Sequence, residues 1–425
     1  MVEGHRRSGA VEAAVTIGPL ASTAWLDVPD ATSTVRTGTI QQRARRKELD
    51  VLRAIAVLLV LGRHLNIDDA APVASSGIVA LWARCGWVGV DLFFVLSGFL
   101  VSGLIFQEYR ARGAFDFKRF FVRRGFKIYP GFYALMLLTP LMSGWAKRSL
   151  GAREYVSEIL FVQNYGYPIW PHTWSLGVEE QFYLGIGLLL LVLSRRGKRD
   201  PFTACPWIFV AVAGGSLVCR VGTALAMPYS LQANVTPGHL RIDSLLFGVL
   251  LSYVHHFRQS DGFARLARHR AALLIASAVL IAPCLALPLS HWFMHTIGFT
   301  LLYLGFGGIL VVALSDDGLD ERIGTVGSAL AKVGAYSYSI YLWHVPVRRI
   351  VAVIVHRALE SGPSAPLVEG CLYVTASVAV GVAMAKLIEV PCLALRDAIF
   401  PSRTPGVALS APVAHATAES AHRLA

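Results

Sequence analysis

Residues 53–65, R-A-I-A-V-L-L-V-L-G-R-H-L, set a cation near the start and an imidazole near the end of an apolar run. At 1.5 Å and 100° per residue, Arg53 and His64 stand about 16 Å apart along a helix and about 20° apart around it. They share one face, with Val57, Val60 and Leu61 between them. Asp50, one turn before Arg53, is spaced to pair with it. A histidine exchanges a proton near neutral pH, and a guanidinium binds phosphate or carboxylate. Inside a bilayer either group is expensive and marks function by default.

Other apolar segments carry ionisable residues too. In H172-T-W-S-L-G-V-E-E-Q-F-Y-L184, Glu179 shares a face with Phe182, Tyr183 and Ile186. The adjacent acids Glu179 and Glu180 serve either chemistry or an ion pair to a neighbouring helix. In G86-W-V-G-V-D-L-F-F-V-L-S-G-F-L100, Asp91 lies near the start, and Ser97–Gly98 read as small residues for close helix packing. H239-L-R-I-D-S-L-L-F-G248 brings Arg241 and Asp243, whose economical reading is an internal pair. Y336-S-Y-S-I-Y-L-W-H-V-P346 places His344 among tyrosines, with Pro346 positioned to bend the helix. Five segments each contribute such a residue, which together imply a polar cavity through a bundle.

The elements that must hold them follow from composition. The 425 residues are 55% hydrophobic and only 16% charged, against about a quarter charged in soluble domains. Charges cluster in short runs between long apolar stretches. The expected fold is all-α, a polytopic membrane bundle of about ten helices, near 49–66, 86–106, 126–146, 175–194, 206–226, 239–257, 271–289, 292–314, 334–356 and 367–389. Residues 1–47 read as a disordered basic tail, 48–398 as the membrane domain, and 399–425 as a second disordered tail. No cleavable leader is expected, since Glu12, Pro19 and Asp27 interrupt the weak N-terminal apolar stretch.

The net charge of +12 does not call for nucleic acid. Cations flank alternate ends of the spans, at 43–47, 110–127, 195–199 and 258–270, while 67–85 holds only Arg84 and 227–238 none. That alternation marks cytoplasmic loops and puts both termini in the cytoplasm. On this topology Arg53 is at the inner side of the first span, and His64, Glu179, Asp91, Arg241 and Asp243 lie in the outer half. The six cysteines are scattered without paired spacing and read as small core residues. His291 and His295 have metal-like i,i+4 spacing without a companion glutamate, and no metal is expected.

Six stretches in this order carry a resemblance: Arg53-x10-His64, the G-V-D-L-F-F-V-L-S-G-F of 89–99, R-R-x-x-K-I-Y-P of 123–130, W-S-L-x-V-E-E-Q-F-Y of 174–183, R-x-D-x-L-x-x-G of 241–248 and Y-S-Y-S-I-Y-L-W-H of 336–344. Together they resemble the acyltransferase-3 family of integral-membrane O-acyltransferases, over about residues 48–398. The resemblance implies an acyl-CoA donor in the cytosol, acetyl by default. It implies a hydroxyl acceptor on a cell-surface or lipid-linked glycan, residence in a bacterial inner membrane, and no permanently bound cofactor. Its site residues map onto Arg53, His64, Glu179, Arg124, Lys127 and His344. Lys127 stands where the family commonly has arginine, so it offers phosphate a point charge rather than a fork. Some relatives end in a hydrolase-like domain, and none is expected in this chain.

Acyl transfer to an alcohol needs a base for the hydroxyl proton and stabilisation of a tetrahedral oxyanion. On this layout His64 is the expected base and Glu179 its orienting partner, as in catalytic triads. Donor phosphates are expected among Arg53, Arg123, Arg124 and Lys127, with Asp91, Arg241, Asp243 and His344 completing the substrate path. Two alternatives keep the same architecture. One is an acceptor that is a secreted small molecule such as a macrolide. The other is a transporter or glycan exporter, against which the absence of self-similar halves argues.

Overall fold

The computed structural model describes residues 47–65, 77–146, 150–166, 168–196, 200–258, 268–315, 319–359 and 365–401. The expected tails lie outside them, apart from Lys47 and residues 399–401. Among the described residues the regular elements are all helical: α1 (Lys47–Arg63), α2 (Ile78–Cys85), α3 (Gly89–Arg112), α4 (Phe117–Ala146), α5 (Ala152–Ile159), α6 (Trp174–Ser194), α7 (Cys205–Ala226), α8 (Leu231–Asn234), α9 (Ile242–Phe257), α10 (Arg270–Ile281), α11 (Pro283–Ala286), α12 (Phe299–Ser315), α13 (Leu319–Ala335), α14 (Ser337–Leu359), α15 (Ala365–Met384) and α16 (Val390–Ile399). Short 3-10 turns precede α3, α6 and α9, and π-helical turns precede α12 and α16.

Each span expected from hydropathy overlaps a helix. Among the described residues six segments are long and apolar enough to cross a membrane: Ile78–Arg112, Pro171–Ser194, Cys205–Ala226, Met294–Ser315, Ser337–Ala358 and Pro366–Ile399. The other four expected spans fall on helices that are shorter or less apolar, such as the 17 residues of α1 and the 16 of α9. The protein is an all-α, multi-pass integral membrane protein.

Backbones approach closely where side chains are smallest. Gly98 of α3 lies against the Leu245 carbonyl of α9, and Gly248 of α9 against the Val95 carbonyl of α3, so neither position has room for a side-chain carbon. This is how small residues drive helix packing when hydrocarbon surrounds the bundle. Gly86 and Gly89 do the same against α1, and Trp82 Nε1 donates to the Leu58 carbonyl at 2.8 Å. α1 also runs along α13, with Gly334 against the Asp50 carbonyl. Hydropathy gave no sign of α13, because its sequence L-D-E-R-I-G-T-V-G-S-A-L-A-K-V-G-A mixes charge with small residues. Its helix is broken at Gly324, whose φ of 50° suits glycine.

Candidate active site

The ionisable residues fall into three groups. The first lines a partly open cavity between α1, α3, α4, α6 and the start of α14. Arg53, Arg124 and Lys127 supply cations, Glu179 and Glu180 carboxylates, and Ser97, Ser175, Ser337, Tyr338 and Tyr341 hydroxyls. Val90, Phe93, Leu96, Leu100, Val101, Ile128 and Leu176 complete its wall. Small-molecule sites are mostly apolar with a few polar groups; here polar and charged side chains outnumber apolar ones, which suits a charged ligand.

Antiparallel packing of α4 against α6 brings the cations of one to the acids of the other. The Arg124 guanidinium stands 3.9 Å from Glu179 Oε2 and 3.9 Å above the Tyr183 ring. Glu179 also accepts from the Tyr183 hydroxyl and, at 3.2 Å, from Ser97 Oγ. Glu180 accepts from Tyr129 at 3.1 Å. Lys127 is paired with Glu389, which the π-helical turn of residues 385–389 presents and which also accepts from Ser339 at 2.8 Å. Arg53 pairs with Asp50 at 3.7 Å, as the one-turn spacing requires. The three cations keep 27%, 17% and 20% of their side-chain surface exposed, in the order Arg53, Arg124, Lys127.

The second group is a row of imidazoles. The His64 and His344 ring centroids are 4.9 Å apart, and those of His344 and His172 are 4.8 Å apart. His172 and His344 are buried, while His64 is half-buried at the end of α1. Arg63 and Arg348 lie near His64. The row adjoins the cavity through Tyr341, whose ring is 5.5 Å from His344 and 5.6 Å from His172. The Tyr341 hydroxyl donates to the His172 carbonyl at 2.8 Å and meets Ser175 Oγ at 2.6 Å. Arg53 and His64, on one face of α1, thus mark the cavity and the imidazole row respectively.

The 3-10 turn Pro171–Thr173 that carries His172 is clamped from the preceding connection. Glu158 is buried, and its Oε1 accepts from the Ile169 N–H and the Thr173 hydroxyl, both at 2.9 Å. Gln163 donates to the Thr173 carbonyl at 2.9 Å, and Trp170 Nε1 to Thr139 at 2.8 Å. Burial pushes the Glu158 carboxyl up to about 7, against the opposing pull of Thr173 and the Ile169 and Trp170 N–H groups.

The third group is sealed. Arg241 pairs with Asp91 at 2.6 Å and Arg220 with Asp243 at 2.9 Å, each side chain no more than 1% exposed. The Arg241 guanidinium lies 3.8 Å over the Phe299 ring.

Several expectations change. His64 and Glu179 do not meet: the imidazole's ring neighbour is His344, and the carboxylate's partners are Arg124, Tyr183 and Ser97. Arg123 is not on the cavity, because it projects 100° away from Arg124 around α4 and pairs with Asp397 of α16 at 3.0 Å. Asp91, Arg241 and Asp243 line no part of the cavity, and Arg241 pairs with Asp91 rather than Asp243. Ser97 faces the cavity, while its neighbour Gly98 does the close packing. His172, Ser175, Tyr341 and Glu389 were not singled out in the sequence. His172 and Ser175 stood in the H-T-W-S-L run that leads into the Glu179 segment and Tyr341 in the tyrosine-rich one, but Glu389 carried no local signal. Among the described residues no group of three His, Cys, Asp or Glu is arranged to hold a metal ion.

Comparison with known proteins gives a consistent set of matches. The model of an acyltransferase domain, Acyl_transf_3, matches residues 46–386. The peptidoglycan O-acetyltransferase OatA of Listeria monocytogenes is 28% identical over 327 residues, covering 70% of this chain and 49% of that protein. The O-acetyltransferase OatA of Staphylococcus aureus is 27% identical over 321 residues, covering 70% of this chain and 50% of that protein. The chain spans about half the length of the curated relatives it matches. No solved structure shows a significant match.

Proposed function

We propose that this chain, which belongs to the acyltransferase-3 family, is a membrane O-acetyltransferase that moves an acetyl group from cytosolic acetyl-CoA to a hydroxyl of a cell-surface or lipid-linked glycan. The relatives named for peptidoglycan and O-acetyl transfer support the acceptor class, and family membership displaces the exporter reading. The observation that carries the mechanism is the continuity of two chemistries along one axis. A cation-lined chamber at the Arg53 level gives way, through Tyr341 and Ser175, to a row of imidazoles that ends at half-buried His64.

In this reading the donor's phosphates sit against Arg124, Lys127 and Arg53, and its thioester arm follows the apolar wall toward the imidazoles. His64 takes the proton of the acceptor hydroxyl. The oxygen attacks the thioester carbonyl, and the tetrahedral intermediate expels the CoA thiolate, which receives that proton from the imidazolium. Base catalysis of this kind contributes about 10²–10⁴ in rate. Glu179, beside Arg124, holds that guanidinium in the chamber rather than orienting His64. Acyl-CoA is a substrate here, and the proposal includes no resident cofactor or metal. The bundle sits in a bacterial inner membrane, with its Arg124 end facing the cytoplasm.

The test is loss and complementation. Deleting the gene should remove base-labile acetyl esters from surface polysaccharide, read by mass spectrometry. A plasmid copy should restore them, and a His64→Ala copy should not, although it reaches the membrane in equal amount. Full restoration by that variant overturns the assignment of the base.

A further inference from the structure

Three helices each put one cavity residue at the cations and another one turn further on. Ser97 of α3 and Glu179 of α6 meet at 3.2 Å beside Arg124. Tyr338 of α14 presents its ring to the Lys127 ammonium, 5.9 Å from the ring centre. One turn away, about 5.4 Å along each helix, Phe93, Ser175 and Tyr341 also line the cavity and meet one another. The Phe93 and Tyr341 rings stand edge-on with centroids 5.9 Å apart, and the Tyr341 hydroxyl is 2.6 Å from Ser175 Oγ. These three close the chamber toward the imidazoles, because Tyr341 is the wall residue that touches His344 and His172. The two rings are held differently. Tyr341 is anchored through its hydroxyl to Ser175 and to the His172 carbonyl. Phe93 is half-buried, and an apolar ring is held in place by packing alone. Tyr341 is the fixed side of this constriction, and the bulk of Phe93 sets its width.

We propose that Phe93 fixes the length of the transferred acyl group, by forming with Tyr341 a neck that passes an acetyl thioester and stops longer chains. The inference rests on the reading of the chamber as the acyl-CoA site and narrows its donor. With the phosphates at the cations, the acyl end leads the donor toward the imidazoles and meets this neck first. Each added methylene has to be seated against rings that are already in contact, and overfilling a packed apolar space is costly. One methylene in a close-fitting pocket is worth about 10–200-fold in discrimination. The cations one turn away are indifferent to the acyl chain, so selection for length and affinity for CoA reside in different residues of one cavity.

The test uses the full chain in lipid nanodiscs, with acetyl-, propionyl- and butyryl-CoA as donors and an N-acetylglucosamine–N-acetylmuramic acid disaccharide as acceptor. In the wild type, kcat/KM should fall at least about a hundredfold from acetyl to butyryl, and Phe93→Ala should bring the two within about tenfold. Phe93→Leu should lie between them. The thermal shift induced by free CoA should be the same in all three proteins. An unchanged butyryl-to-acetyl ratio in Phe93→Ala overturns the proposal, and so does a wild type that uses both donors equally. If the wild type transfers no acyl group from any of these thioesters, the donor reading fails and the neck is judged separately. Ser175→Cys protein is then treated with methyl and butyl methanethiosulfonates, and labelling at position 175 is read by mass spectrometry. Faster labelling by the methyl reagent, with the difference lost on adding Phe93→Ala, supports the neck. Equal rates with Phe93 in place overturn it. Where Phe93→Ala does not fold, Phe93→Leu takes its place in both measurements.

Discussion

Two charged clusters in this bundle are built from the same residue types and have opposite fates. In the sealed quartet, two arginines meet two aspartates one to one, and every side chain is at most 1% exposed. In the cavity, Arg53, Arg124 and Lys127 stay about a fifth exposed, and their acids are shared with serine and tyrosine hydroxyls. Buried charges persist only when paired and hydrogen-bonded, so the quartet has spent its charge internally and has none to offer a ligand. The cavity cations face a space that an anion can enter. Finding a charge in a membrane span is therefore not enough to assign a function. What separates site from scaffold is whether the charge keeps a surface.

That contrast can be broken at several points. The largest effect is expected from the quartet: Asp91→Ala or Arg241→Ala leaves its partner buried and uncompensated, at a cost of about 3–5 kcal/mol. Thermal unfolding in detergent should show a collapse in stability, and replacing both residues by apolar ones should recover much of it. A stable single variant refutes the scaffold role. Next comes His64→Ala, which should cost roughly 10²–10⁴ in turnover while leaving the melting temperature in place. Arg124→Ala should follow, raising the KM for acetyl-CoA about tenfold to a hundredfold, as loss of a charge-assisted contact of about 1.5–3 kcal/mol implies. An equal rise in the KM for acceptor instead would move Arg124 off the donor.

A smaller effect is expected at Glu158. Burial pushes its folded carboxyl up to about 7 from the ordinary 4.5, so the folded state binds the proton more tightly than the unfolded one. Stability from this group is full below about 4.5, falls as pH rises toward 7, and levels off above. Melting curves of Glu158→Gln should lack that slope. The smallest effect is expected from Arg123→Ala, which should leave the KM for donor within about twofold, because Arg123 faces Asp397 rather than the cavity. A large rise would put the donor on the outer face of α4 and redraw the site.

The legible part of the molecule was the part governed by local rules. Long apolar runs read as helices because a bilayer leaves no other partner for the backbone, and each expected span overlaps a helix. α13 escaped because it lies against α1 through small residues and carries charges that hide it from hydropathy. Within the site, Arg53, Arg124 and Lys127 were legible as cavity cations, while Arg123 was misassigned because sequence proximity to Arg124 says nothing about which way each points. The pairing of His64 with Glu179 failed for a related reason. Depth along two helices was read, but their relative height was not, and Glu179 sits at the level of Arg124.

By itself the sequence determined the long apolar helices, the membrane, and the placing of Arg53 and His64 on one face of α1, since rise and twist per residue are properties of a single helix. The tertiary structure alone decided which charges meet. Asp91 and Arg241 are 150 residues apart in the chain, and Lys127 and Glu389 are 262 apart. Such partners are chosen by how helices slide and turn against one another until glycine, aromatic ring and buried charge all fit. No residue carries that choice in its own neighbourhood.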